Sequence, residues 1–231
     1  MLQTNNLNIF YGDSHVVRDV SFSIPEGKIV CLMGRNGVGK TTVMKSLIGL
    51  LPARSGRISF GGQDITYLRP FARARFGIGY APQGREIIPG LTVEENLLIG
   101  LEAKSNGARV IPPRIFELFP VLKTMLGRRG GDLSGGQQQQ LSIGRALASE
   151  PKMLLLDEPT EGIQPSIIKE IVHAIKKLKE QGGLSILVVE QFVGFVRSAG
   201  DYFYIMEKGA IAAEGAVADL SDDLIKKHLA V

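Results

Sequence analysis

Residues 29–50 read "IVCLMGRNGVGKTTVMKSLIGL": five apolar residues, a glycine-rich turn, then a run with helical spacing. No other stretch restricts the fold as much. An apolar run without polar alternation suits a strand covered on both faces, and a strand that turns straight into a helix begins a βαβ unit of a parallel sheet. Within it "GRNGVGKT", residues 34–41, fits the phosphate-binding loop pattern G-x-x-x-x-G-K-[ST], with Gly34, Gly39, Lys40 and Thr41 in place. The glycines let the backbone of Arg35, Asn36, Gly37, Val38 and Gly39 curl so that its N–H groups, with those of Lys40, Thr41 and Thr42, face a polyphosphate. The helix starting near Lys40 aims its positive end at the same anion. Lys40 is expected to neutralise the β- and γ-phosphates of such a ligand, and the Thr41 hydroxyl to ligate Mg²⁺; kinases, GTPases, helicases and transporters all use this loop, so the reaction stays open here. A bare glycine turn is the plainer alternative, and the strand before it and the helix after it argue against that.

"KMLLLDEP", residues 152–159, supplies a complement. Apolar residues leading to an acid describe a central strand that delivers Asp157 to the C-terminal edge of the sheet, where ligands of α/β proteins bind. Asp157 is expected to hold the metal, directly or through water. Glu158, one residue on, is a candidate to orient or deprotonate an attacking water.

The rest of the chain continues the alternation. "SIIKEIVHAIKKLKEQGG" places Ile167, Ile171, Ala174, Ile175 and Leu178 on one helical face and ends at Gly182 and Gly183, and "LSILVVE" follows as a strand. The first 30 residues and residues 57–67 carry short β-rich pieces punctuated by Gly and Pro, an antiparallel patch. Between 92 and 148 the strand signals vanish, and "TVEENLLIGL", "PPRIFELFP" and "GGQQQQLSIGRALASE" read as helices. One domain spanning 1–231 is therefore expected, with residues 1–91 and 149–231 forming an α/β nucleotide-binding core plus a small antiparallel β subdomain. Residues 92–148 form an inserted α-helical subdomain.

Composition removes several function classes. The net charge of +4 and the Arg–Phe interleaving of "RPFARARF", residues 69–76, raise a nucleic-acid partner, but the cations do not extend into a basic stripe; a solvated arm is expected. The single cysteine, Cys31, sits in a buried strand and rules out an intrachain disulfide. No secretory h-region follows Met1 and the longest apolar runs are too short to span a bilayer, so a soluble, cytoplasmic chain is expected. His15, His173 and His228 are scattered without ligand spacing and are expected to be surface or packing residues.

"LSGGQQQQLSIGRA", residues 133–146, narrows the chemistry. Ser134, Gly135 and Gly136 at a helix start leave backbone N–H groups and the positive dipole end open, a second anion site on the chain. Gln138, Gln139 and Gln140 are expected on an exposed helical face. "LSGGQ" at 133–137 matches the signature of ABC ATPases and precedes the Asp157 strand as it does in that family; the chain resembles an ABC ATP-binding subunit along its whole length. The resemblance implies a RecA-like P-loop NTPase core. It also implies an adenine site at Tyr11 and Val16, and a Gln83 that links metal to transporter. It implies, too, a head-to-tail dimer in which each ATP lies between one P-loop and the other subunit's Ser134, Gly135, Gly136 and Gln137.

Finer matches point further. "APQGREIIPGLTVEENLLIGL" and "DEPTEGIQPSII" look like the branched-chain amino acid class of uptake transporters. "LPARSGRISFGGQDIT", "GRRGGDLSGGQQQQL" and the ending "HLAV" are similar to the second ATP-binding subunit of a urea transporter. Such a resemblance implies an ATPase on the cytoplasmic face of the membrane, paired with a second ATPase subunit (homodimeric when isolated) beneath two permease subunits fed by a periplasmic binding protein. Branched-chain amino acid import, lipid or drug export, and a non-transport ABC ATPase are the alternatives. Two departures stand out: "PTEGIQPS" after Glu158 replaces the family's common Ser-Ala-Leu-Asp loop, and Gln191 takes the place of a switch histidine. Gln191 can donate a hydrogen bond to the γ-phosphate but cannot become an imidazolium.

Overall fold

A computed structural model describes residues 1–104, 107 and 109–229. Among the described residues, ten strands and nine α-helices follow in chain order. The first part carries β1 (Leu2–Tyr11), β2 (Ser14–Ile24), β3 (Ile29–Met33), α1 (Lys40–Leu47), β4 (Ser55–Phe60), β5 (Gln63–Asp64), α2 (Pro70–Arg75) and β6 (Ile78–Ala81). Helices α3 (Val93–Gly100), α4 (Pro113–Leu118), α5 (Pro120–Thr124) and α6 (Gly135–Ala148) come next, and among the described residues no strand interrupts them. The remainder is β7 (Met153–Asp157), α7 (Pro165–Glu180), β8 (Ser185–Val189), α8 (Val193–Ala199), β9 (Tyr202–Glu207), β10 (Ala210–Ala216) and α9 (Asp222–His228).

The strands form two sheets. One, in the order β2-β1-β4-β5, is antiparallel; the other runs β10-β9-β3-β8-β7-β6 and is parallel except for the β9–β10 hairpin. The expected α/β architecture with an antiparallel patch is what forms. Every residue of β3, β7 and β8 is buried, and alternate residues serve different cores. Ile29, Cys31, Leu154, Leu156, Ile186 and Val188 face α6, α7 and α8. Val30, Leu32, Met153, Leu155, Leu187 and Val189 face α1 and the antiparallel sheet. A strand sandwiched this way is apolar along its length, with polar Asp157 and Ser185 only at the ends of β7 and β8, which is why these runs lack alternation. Burial drives the Cys31 thiol well above its ordinary range, consistent with a packing role.

Two expectations fail here. The "RPFARARF" segment is not a solvated arm: it folds into α2, and Arg73 is only 2% exposed. Its guanidinium donates to the carbonyls of Leu68, Thr66, Ser46 and Leu47, the last two at the C-terminal end of α1. A guanidinium offers five donors, and the carbonyls that end a helix lack intrahelical partners, so burial here is satisfied chemistry. The exposed glutamine face is also wrong. Gln139 and Gln140 are 3% and 2% exposed, because α6 packs between the sheet, the preceding helices and α7. Gln140 Nε2 donates to Glu170 of α7 at 2.7 Å. Gln138 Nε2 donates to the Gly130 carbonyl at 3.2 Å.

Among the histidines, His173 is exposed, His15 stacks on Phe10, and His228 is buried against Glu207. Of the "HLAV" ending, Ala230 and Val231 lie outside the described residues.

Candidate functional site

The loop after β3 enters α1 through Gly39, whose φ of 107° belongs to the left-handed region that glycine adopts at little cost. Lys40 is therefore the first helical residue, and its buried ammonium turns back to donate to the carbonyls of Gly34 and Arg35 at 2.8 and 3.0 Å. The same group lies 3.3 Å from Glu158 Oε1. Val16, on β2, backs the loop: its carbonyl would lie 3.3 Å from a Cβ added at Gly39. Tyr11 closes β1 and is 47% exposed, free to offer a ring face.

Asp157 ends β7 beside the loop. Its carboxylate accepts from Thr41 Oγ1 at 3.4 Å and from the Tyr80 hydroxyl at 3.3 Å. Burial raises its pKa to about 6, against the pull of those hydrogen bonds and of Lys40. Tyr80, at the end of β6, is pushed up as well, by its own burial and by Asp157. Glu158 follows with φ 48°, an uncommon conformation for a non-glycine residue that swings its side chain back over the P-loop. Gln83 Nε2 donates to Glu158 Oε2 at 3.2 Å and to Glu161 Oε2 at 3.0 Å. Gln191 Nε2, from the loop after β8, donates to Glu158 Oε1 at 2.9 Å and to Asn36 Oδ1 at 2.6 Å. Lys40, Thr41, Asp157, Glu158, Gln83 and Gln191 thus converge on one sheet edge from four segments that are far apart in the chain.

The donor set suits a small hard cation. A hydroxyl, a carboxylate and an amide oxygen are hard ligands, and Mg²⁺ is usually held by one or two carboxylates together with phosphate oxygens and water rather than by a protein cage. Among the described residues no cluster of three or more His, Cys, Asp or Glu side chains forms such a cage.

The segment expected to be a second anion site starts α6. Ser134 is the N-cap, and its hydroxyl accepts from the Gln137 amide at 3.4 Å while Gln137 Oε1 accepts from the Ser134 amide at 2.9 Å. This capping box uses two of the helix-start donors internally, so Gln137 points back at its own helix rather than outward. The amides of Gly135 and Gly136 remain at the tip. Arg85, which the sequence reading passed over, holds this tip. A Cβ on Gly135 would come within 2.9 Å of its guanidinium, and one on Gly162 within 3.7 Å. Arg85 Nη1 also donates to Gln138 Oε1 at 3.4 Å.

A family model described as ABC transporter matches residues 17–161, more than half of the chain. The chain belongs to the ABC transporter family. It is similar to the high-affinity branched-chain amino acid transport ATP-binding protein BraG of Pseudomonas aeruginosa, 38% identical over 221 residues that cover 95% of this chain and 94% of the relative. It is also similar to the lipopolysaccharide export system ATP-binding protein LptB of Escherichia coli, 35% identical over 230 residues, 98% of this chain and 95% of that one. A solved dimeric post-hydrolysis state of the ATP-binding cassette MJ0796, bound to ADP and Pi, superposes with a TM-score of 0.86 at 26% identity, covering 94% of this chain and 99% of that one. As a member of the ABC family the chain is an ATPase subunit of a transporter, with ATP as nucleotide and Mg²⁺ as its usual partner ion.

Besides Arg85, the sequence reading missed Glu161, Tyr80 and Glu190. Glu161 and Tyr80 carry no motif signal, and only the fold brings them to Gln83 and Asp157. Glu190 had a faint one: an acid directly after a fully apolar strand and directly before Gln191.

Proposed function

We propose that this ABC ATPase drives uptake of a small polar solute, urea or a short-chain amide, as one of two ATPase subunits on the cytoplasmic face of a membrane importer. The observation that carries the hydrolytic part is the convergence of Lys40, Glu158, Gln83 and Gln191 at one sheet edge. In this reading residues 92–148 form the inserted helical subdomain, and 1–91 with 149–231 the core. Tyr11 stacks on adenine and the loop from Gly34 to Thr42 wraps the phosphates. Thr41, Asp157 and Gln83 would hold Mg²⁺, which would supply neutralisation of the phosphate charge. Glu158 takes a proton from water as the water oxygen attacks the γ-phosphorus and the bond to the β-phosphate oxygen breaks, giving ADP and phosphate. Gln191 donates to the γ-phosphate. Ser134, Gly135 and Gly136 close the partner's site, so ATP favours a head-to-tail dimer and hydrolysis releases it.

Among the described residues no helix is long and apolar enough to cross a membrane, so permease subunits must carry the path. An apolar cleft of about 310 Å³ lined by Ile48, Leu50, Tyr80 and Ile99 is a suitable seat for such a subunit. Import and urea rest on the "APQGREIIPGL" and "GRRGGDLSGGQQQQL" resemblances; branched-chain amino acid import is the second reading, favoured by the likeness to BraG. Copurification of the chain with its membrane partners, followed by uptake of labelled urea and labelled leucine into proteoliposomes, separates them. ATP-dependent urea uptake that Lys40→Ala abolishes is the expected result. Uptake of leucine alone would replace the solute, and uptake of neither would overturn import.

A further inference from the structure

Glu190 is 3% exposed, and backbone amides and a hydroxyl, rather than a cation, satisfy its carboxylate. One oxygen serves each of two loops. Oε1 accepts from the Thr160 amide at 3.1 Å and from the Thr160 hydroxyl at 2.6 Å. Oε2 accepts from the amides of Gln191 and Phe192 at 3.0 and 3.1 Å. Glu190's own amide donates to the Leu32 carbonyl of β3, two residues before Gly34, at 3.2 Å, and next to it the Glu158 amide donates to Val189 at 2.9 Å.

A carboxylate this deeply buried costs several kcal/mol unless every oxygen is well satisfied, and apolar neighbours would fill the space without that cost. Burial pushes its carboxyl above the ordinary range, while the four hydrogen bonds oppose the shift. The geometry accounts for the expense: the group bridges the loop that follows Asp157 and Glu158 to the loop that carries Gln191. Loops leaving adjacent parallel strands have no ladder between them beyond the strand ends, so a side chain must set their relative height.

We propose that Glu190 is a positioning residue for hydrolysis, fixing the Thr160 loop against the Gln191 loop so that Glu158 and Gln191 meet one γ-phosphate together. Glu190 is buried with its carboxylate bonded only to Thr160, Gln191 and Phe192, so it would act through Glu158 and Gln191, and this inference rests on the roles assigned to them above. Glu190→Gln is a discriminating change because it keeps shape and packing. An amide has one acceptor and one donor end, so either Thr160 or the Gln191–Phe192 pair would face an N–H with an N–H.

The test uses the chain with its partner subunits, in single-turnover hydrolysis, alongside ATP titration and thermal unfolding. Glu190→Gln should lower the hydrolysis rate by about tenfold or more, the scale of a small misplacement of reacting groups, with ATP affinity unchanged. Thr160→Val, which removes one hydroxyl from the same link, should lower the rate less, and it should add little in the Glu190→Gln background. Thr160→Ser should restore the rate. Gln191→Ala should likewise be non-additive with Glu190→Gln. An unchanged rate in Glu190→Gln overturns the proposal, as do losses of rate and affinity that follow a fall in melting temperature, and so does full additivity with Thr160→Val. Gln191→Ala without effect by itself would instead sink the role given to Gln191, and the Thr160 cycle would still decide Glu190.

Discussion

The C-terminal edge of the parallel sheet and the start of α6 each place glycines at the start of a helix, yet they are held in different ways. At the sheet edge the positions are set by three fully buried strands, β3, β7 and β8, and the charges are paired internally, Lys40 with Glu158. At α6 the tip is held by side chains: the Arg85 guanidinium over Gly135, Ile167 of α7 against Gly136, and the helix's own Gln138 reaching Gly130. The first arrangement is as stiff as the core beneath it. The second depends at its tip on long side chains, which have more rotamer freedom than a buried strand, although the body of α6 is itself packed into the core.

Substitutions should divide along that line. Lys40→Ala should have the largest effect, because it removes the cation on the phosphates and strands Glu158. Charge-assisted contacts to the β- and γ-phosphates are worth about 1.5–3 kcal/mol each, so ATP affinity should fall on the order of 10³-fold. Near-normal affinity in a nucleotide titration would mean the edge does not bind phosphate through Lys40. Glu158→Gln should preserve ATP binding and slow hydrolysis by about 10²-fold, the contribution of a general base; unchanged turnover would remove Glu158 from that role. Ser134→Arg sharpens the contrast from the other side. Nucleotide binding by the isolated chain should be normal, while hydrolysis at the partner's P-loop should drop by about tenfold through lost alignment. Loss of binding in the isolated variant would show that the α6 tip serves its own chain. Gln140→Leu should matter least. Its Oε1 is buried without a partner and Glu170 is exposed to water, so the change in unfolding free energy measured in urea should stay below about 1 kcal/mol. A cost of several kcal/mol would make the Gln140–Glu170 bond a rigid bolt and erase the difference in stiffness.

The same contrast explains what the sequence made legible. Strands buried on both faces write themselves as uninterrupted apolar runs, so β3, β7 and β8 and the groups at their ends could be placed from local pattern alone. Arg73 could not: its four carbonyl partners come from Thr66, Leu68 and the end of α1, and a basic residue among aromatics looks like a solvent-facing arm until those carbonyls meet. Gln139 and Gln140 were misread because helical periodicity assigns a polar residue to water, whereas α6 is covered on more than one side. Glu190 carries only the faint signal of an acid that follows an apolar strand, and Arg85 carries no motif of its own. Their partners are separated from them by 30 and 53 positions, beyond the reach of any window of local sequence.

The strand order has a consequence for how the chain reaches this state. β3, which opens into the P-loop, lies between β8 and β9, with Ile29 beside Ile186 and Cys31 beside Phe203. The antiparallel sheet can assemble from the first third of the chain, because β1 pairs with β2 and β4. β3 emerges from the ribosome early and has neither neighbour until the last quarter of the chain is made. Closing so long a loop is entropically slow. During that interval an apolar strand with two free edges is exposed, the kind of surface that aggregates or recruits a chaperone. The candidate nucleotide site therefore becomes whole only after β8 and β9 are made, even though its loop is among the first segments to be synthesised.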